Sequence, residues 1–224
     1  MSQDDKQRVV EIIRILRERY TDAHVTLDFV NPFQLLISTI LAAQSTDVKV
    51  NEVTETLYKK YTTPAAFANA DPAELEQDIH ATGFFRQKAR SVIEASQDIV
   101  NVYGGQVPST MEELTKLRGV GRKTANVVLG AAFGIPSIIV DTHMLRVNGR
   151  LGLIDPTSAE KKDAEKAERE LMEIVPHEDW TTYSNLILFL GRDVCTAKSP
   201  KHDICPILHL CPTGQREMTG SQRE

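Results

Sequence analysis

Apolar residues recur three and four positions apart along most of this chain, in runs broken by Pro, Gly, Asn and Asp, and no hairpin signal appears. That pattern confines the chain to helical architectures. Residues 3–20 carry Val9, Ile12, Ile13 and Leu16 on one helical face. Pro32 opens a helix over 32–44, and Pro72 precedes a short one over 73–79. A helix over 46–61 has Asp47 in its first turn, and an amphipathic helix over 86–103 stops at Gly104-Gly105. Helices follow over 110–117, 122–133, 141–151, 158–174 and 181–195. Only 25–29 and 137–140 read as strands, and neither has a partner signal. The expected class is all-α, with two helical lobes. Weak breaks near 22–28 and 134–137 suggest a central domain over 25–135. The flanks 1–24 and 136–224 would then pack together as a second lobe.

The 224 residues are 41% hydrophobic and 25% charged, which excludes collagen-like, disordered and disulfide-scaffold classes. The longest weakly polar run, 126–140, contains Gly130, Gly134 and Pro136 and falls short of the roughly 20 apolar residues of a spanning helix. The N-terminus has Asp4, Asp5, Lys6 and Arg8 and no apolar signal core. The expectation is a monomeric cytoplasmic protein, nucleoid-associated, without a membrane partner. A net charge of −5 argues at first against a nucleic-acid partner. The charge is uneven, however. Residues 155–179 carry nine acids against four bases, and 51–83 carry six against two, whereas 84–150 carry nine bases against five acids. The positive middle predicts modest, salt-sensitive attraction to phosphates.

The densest chemistry is Leu117-Arg118-Gly119-Val120-Gly121-Arg122-Lys123-Thr124-Ala125. A short helix enters, Gly-Val-Gly turns, and a second helix leaves. Glycines permit unusual dihedrals and close approach of a partner, and the N–H groups of a helix N-terminus attract anions. The spacing is not that of a P-loop. A simple turn and a phosphate site both fit these residues. Lys123 reads as a surface lysine or as a nucleophile. A helix N-terminus and the adjacent Arg122 both disfavour an ammonium, which suits imine chemistry. Asp141, after Ile138-Ile139-Val140, reads as an N-cap or as a carboxylate for proton transfer, and the two are compatible. Cys195, Cys205 and Cys211 cluster near the C-terminus, and an odd count favours metal over disulfides.

The 117–125 motif together with Val140-Asp141-Thr142-His143 resembles the helix-hairpin-helix and Gly/Pro-Asp pattern of the endonuclease III family of DNA glycosylases. The resemblance extends through Ala43-Gln44-Ser45-Thr46-Asp47, Thr82-Gly83-Phe84-Phe85 and the cysteine cluster, covering about residues 5–212. It implies an active-site cleft between two helical lobes and a bifunctional glycosylase/AP lyase acting on oxidised pyrimidines in base excision repair. Its partner would be double-stranded DNA with damaged pyrimidines or abasic sites, the target nucleotide being flipped out. Lys123 would attack C1′ and form a Schiff base, and Asp141 would assist proton transfer. Phe84 would wedge into the stack, Gln44 would fill the vacated space and Asp47 would line the base pocket. The bland readings are a core Phe84-Phe85 pair, a solvated Gln44 and a helix-stabilising Asp47. Arg86, Arg118, Gly119, Val120, Gly121, Arg122 and His143 complete the implied DNA contacts. Lys88 and Arg90 could add phosphate contacts or form an exposed helix face. Arg118 stands where the family often has proline.

The family's [4Fe–4S] pattern is Cys-x6-Cys-x2-Cys-x5-Cys. This chain keeps the spacing but has His202 second, in Cys195-x6-His202-x2-Cys205-x5-Cys211. The resemblance implies a [4Fe–4S] cluster, and since imidazole replaces thiolate in Rieske centres, Cys195, His202, Cys205 and Cys211 could hold it with Cys3His ligation. A three-iron cluster, a Cys3His zinc site or no metal are the alternatives. Lys198 and Lys201 in that loop would lie near DNA. Two other functions compete. A non-catalytic helix-hairpin-helix module would need neither Lys123 nor Asp141, and an adenine-type mismatch glycosylase would lack the lysine.

Overall fold

The structure, a computed structural model, describes residues 3–220, and among these it is all-α, with no strand. The helices are α1 (Gln3–Arg19), α2 (Pro32–Leu41), α3 (Asp47–Lys60), α4 (Pro64–Ala68), α5 (Pro72–Asp78), α6 (Phe85–Asn101), α7 (Met111–Leu114), α8 (Arg122–Ala132), α9 (Thr142–Leu151), α10 (Pro156–Glu160), α11 (Ala164–Ile174), α12 (Trp180–Asp193) and α13 (Pro212–Gly220). Their starts follow local chemistry. Asn31, Thr46, Thr63, Asp71, Thr110, Asp141, Asp155 and Asp163 each accept a first-turn N–H with their side chain. Pro occupies the first turn of α2, α4, α5 and α10. None of the described helices is long and apolar enough to cross a membrane.

The chain divides into two compact units, Val25–Ile135 and Met1–His24 with Pro136–Glu224. In the first, α2 is the central helix, buried from Leu35 to Leu41, as its nearly all-round apolar sequence requires. Around it the core gathers Val50 and Leu57 of α3, Phe67 of α4, Leu75 of α5, Val92, Ala95 and Ile99 of α6, and Ala125 and Val128 of α8. In the other unit, Val9, Ile12, Ile13 and Leu16 of α1 pack with residues of α9, α11 and α12. There Tyr183 is fully buried, and its hydroxyl donates to Asn148 Oδ1.

Three expectations from periodicity are corrected. Residues 25–29 are irregular rather than a strand. The Asn51 side chain on α3 takes the Asp28 N–H (3.0 Å) and donates to the Thr26 carbonyl (2.9 Å) instead. Residues 137–140 are likewise not a strand. The Ser137 and Ile139 N–H groups donate to the hydroxyls of Thr181 (3.1 Å) and Ser184 (2.9 Å), one turn apart on α12. The single helix expected over 158–174 is two, α10 and α11. Lys162 turns left-handed (φ 56°), and Asp163 caps the second helix through the Lys166 N–H (3.0 Å). Sequence reading also missed α4 and α13.

Candidate active site and cysteine loop

In the Val25–Ile135 unit, α7 and α8 flank the glycine-rich turn. Thr110 starts α7 by accepting the Glu113 N–H and donating to the Glu113 carboxylate (2.7 Å). Gly119 has φ 78°, and a Cβ there would lie 2.7 Å from Ser91 Cβ on α6. Only glycine satisfies both demands. Gly121 differs. It is the N-cap of α8 with φ −93°, makes no side-chain cap, and a Cβ there would meet nothing within 4 Å. The start of α8 therefore has neither a side-chain cap nor an acidic residue in its first turn. Arg122 and Lys123 are exposed there, at an end that attracts anions. Val120 faces inward: its side chain is in the core and its N–H donates to the Leu117 carbonyl (3.1 Å). We expect Gly119→Ala to cost about 2–3 kcal/mol through the left-handed φ and the contact with Ser91. Gly121→Ala should stay within about 0.5 kcal/mol. Urea denaturation of the two variants checks the contrast.

In the other unit, the Thr181 and Ser184 hydroxyls fix the segment that leads to Asp141. Asp141 Oδ1 accepts the His143 and Met144 N–H groups, both at 2.8 Å, as the cap of α9. Its other oxygen lies 3.2 Å from His143 Nδ1. The cap uses one oxygen and leaves the other on the imidazole.

Among the described residues, the non-glycine residues with positive φ are Gln44 (55°), Phe84 (49°) and Lys162. Gln44 is exposed in the turn between α2 and α3. Phe84 is 62% exposed ahead of α6, while Phe85 packs on the core with its ring 4.4 Å from that of His80. The two phenylalanines thus separate, one inward and one outward. A left-handed backbone on a residue with a Cβ costs about 1 kcal/mol or more and points to a constrained role. Asp47, the first residue of α3, accepts the Thr26 hydroxyl at 2.5 Å. Arg86 lies over the Phe85 ring and 3.8 Å from Glu76. Arg118 is exposed on the turn, 3.8 Å from Glu94, and Glu94 also pairs with Arg90 (2.5 Å). Lys88 is not on the exposed face: it is buried and bonded to a backbone carbonyl.

The three cysteines form no disulfide and are half-buried after α12. Arg150 of α9 donates to Cys195 Sγ (3.2 Å) and to the Thr196 (2.7 Å) and Ala197 (2.9 Å) carbonyls, holding the start of the loop. The Gly214 N–H donates to Cys211 Sγ (3.3 Å). Burial pushes the Cys205 and Cys211 thiols up from their ordinary range. His202 is joined through Nε2 to Glu217 of α13 (2.7 Å), which leaves Nδ1 as its other coordinating atom. A Cβ on Gly214 would lie 3.2 Å from that Nδ1. Among the described residues, no three His, Cys, Asp or Glu side chains converge on a single ion. N–H donors aimed at sulfur are the surroundings that iron-bound thiolates use, so the residues fit an iron–sulfur group at the level of the thiols.

Sequence reading missed Arg150, Ser91 and Lys88 as supporting residues. Arg150 had a signal, since Arg146 and Arg150 share one face of α9 and both reach the cysteine loop. Ser91 had none, because its role depends on a close approach between two helices.

The family model of the HhH-GPD superfamily of base excision DNA repair proteins matches residues 37–177, and that of the iron–sulfur binding domain of endonuclease III matches 195–211. The chain is 47% identical to endonuclease III of Synechocystis sp. over 211 residues, 94% of each chain. It is 44% identical to that of Bacillus subtilis over 199 residues, 89% of each. A solved structure of a trapped endonuclease III–DNA covalent intermediate superposes with a TM-score of 0.88 at 42% identity, covering 97% of this chain and all of the other. The chain therefore belongs to the HhH-GPD superfamily of base excision DNA repair proteins and, within it, to the endonuclease III family of DNA glycosylases with AP lyase activity.

Proposed function

We propose that the chain excises oxidised pyrimidines from double-stranded DNA and cleaves the strand through a Schiff base on Lys123. One observation carries the reading. Lys123 stands exposed in the first turn of an uncapped, acid-free helix behind a glycine-rich hairpin. In support, the chain resembles an endonuclease III caught covalently on DNA. The Lys123 amine attacks C1′ of the flipped nucleotide. The glycosidic bond breaks with its electron pair leaving on the base, which takes up a proton. Loss of the amine proton lets the nitrogen lone pair open the sugar ring, O4′ leaving with its electron pair and taking up a proton, which gives the iminium. Removal of a 2′ proton then expels the 3′ phosphate. Asp141 serves the proton transfers and stabilises positive charge on the sugar. Phe84 enters the stack, and Gln44 occupies the space of the flipped base. Asp47 lines the pocket, and Arg86, Arg118, Arg122, His143 and the Gly119–Gly121 backbone meet the DNA.

Cys195, Cys205 and Cys211 would hold a [4Fe–4S] cluster with His202 Nδ1 as the fourth ligand. The cluster supplies a structural tie for the C-terminal loop. The purified protein should be brown, with a broad band at about 400 nm. An imidazole ligand raises the potential relative to thiolate, so His202→Cys should lower it by on the order of 100 mV. An unchanged potential would show that His202 is not a ligand.

A panel of duplexes tests the substrate class. Strand scission is expected at thymine glycol, at 5-hydroxycytosine and at a preformed abasic site. Removal of adenine opposite 8-oxoguanine, with no scission at the pyrimidine lesions, would place the chain in the adenine branch instead.

A further inference from the structure

Phe84 stands in a backbone conformation that needs support. Gly83 (φ 71°, ψ 161°) and Phe84 (φ 49°, ψ 29°) are consecutive positive-φ residues, and Phe84 has no side-chain cap to hold it. Such a pair persists only where its surroundings fix it. The support comes from Lys88, one helical turn along α6. Its backbone N–H donates to the Phe84 carbonyl (3.1 Å), and its ammonium donates to the Thr82 carbonyl (2.7 Å). One residue thus grips the turn on both sides of Gly83. From behind, the Thr82 hydroxyl donates to the Ile79 carbonyl (2.8 Å), and the Gly83 N–H donates to the His80 carbonyl (3.2 Å).

An ammonium is a costly way to fill this space. Lys88 is 5% exposed, and burial pushes its pKa below the ordinary lysine range. A methionine of similar volume would pack there without that penalty. What the charge adds is a strong donor to one carbonyl, and that carbonyl precedes the Gly83-Phe84 turn.

We propose that Lys88 is a positioning residue for DNA interrogation, locking the 82–84 turn so that Phe84 is presented outward ready to enter the base stack. The inference rests on the reading of Phe84 as the wedge.

The test uses the full-length protein, a duplex with a tetrahydrofuran abasic analogue flanked by 2-aminopurine, and a Lys88/Phe84 double-mutant cycle. Fluorescence reports unstacking. Lys88→Met should reduce the fluorescence change at least about threefold and weaken binding to the abasic duplex by about tenfold, with affinity for undamaged duplex held within about twofold. Lys88→Arg, which keeps a cationic donor, should recover most of the signal. Lys88→Met added to Phe84→Ala should cost nothing further. If Lys88→Met does not fold, Lys88→Gln takes its place in the cycle. A wild-type signal in the Lys88 variant, or losses that multiply in the double variant, would overturn the proposal. An unchanged signal in Phe84→Ala alone would instead sink the wedge reading.

Discussion

Lys123→Gln is expected to reduce strand scission at abasic sites by on the order of 10³-fold or more while leaving the protein folded and bound to duplex. Glutamine keeps much of the length, and both residues are good helix formers, so an exposed first-turn position should change stability by less than about 0.5 kcal/mol. What disappears is the only group in the proposed mechanism able to bond to C1′. Binding loses one phosphate-seeking charge, which should reduce the salt slope by about one and weaken all sequences alike. A variant that retained scission would remove Lys123 from the mechanism. A variant that lost binding and scission together would make it a phosphate contact only.

The second large effect is at Asp141, where two roles must be separated. Asp141 Oδ1 takes both cap hydrogen bonds, and the other oxygen faces His143. An asparagine in its place would still offer a carbonyl oxygen to the His143 and Met144 N–H groups, so Asp141→Asn should keep most of the cap and stay within about 1 kcal/mol of the parent. The amide cannot accept a proton or carry negative charge opposite a cationic sugar. We expect single-turnover base excision to fall by on the order of 10²–10³-fold. Asp141→Ala should lose activity to a similar degree and a further ~1 kcal/mol from the cap. If the Asp141→Asn variant kept its activity, Asp141 would be a cap alone.

Periodicity revealed the helices because most bury one face. The four apolar residues marked in 3–20 are the four that α1 buries. It failed where side chains compete with backbone. Asn51 bonds the backbone of Thr26 and Asp28, the Thr181 and Ser184 hydroxyls take the Ser137 and Ile139 N–H groups, and Asp163 interrupts an otherwise continuous helical pattern. The first two are not visible until distant elements meet, whereas the Asp163 cap is local, reaching only to the Lys166 N–H. In the candidate site, the glycine turn and the cap residue could be read locally, since each is a property of its own few residues. The fates of Phe84 and Lys88 could not. Nothing in Phe84-Phe85 says which ring turns outward, and Lys88 looks like one more base on an amphipathic helix. Charge counting has the same weakness. Of the nine bases in 84–150, Arg86, Lys88, Arg90, Lys116, Arg118, Arg146 and Arg150 all lie on internal carbonyls or carboxylates. The positive stretch therefore offers DNA less charge than its sequence suggests.

Covalent chemistry at Lys123 is the core of this account, and borohydride reduction captures it directly. The wild-type protein, incubated with an abasic duplex and borohydride, digested and mapped by mass spectrometry, should carry the reduced sugar remnant on Lys123 of α8. An adduct on any other amine, or efficient scission with no adduct at all, would contradict it.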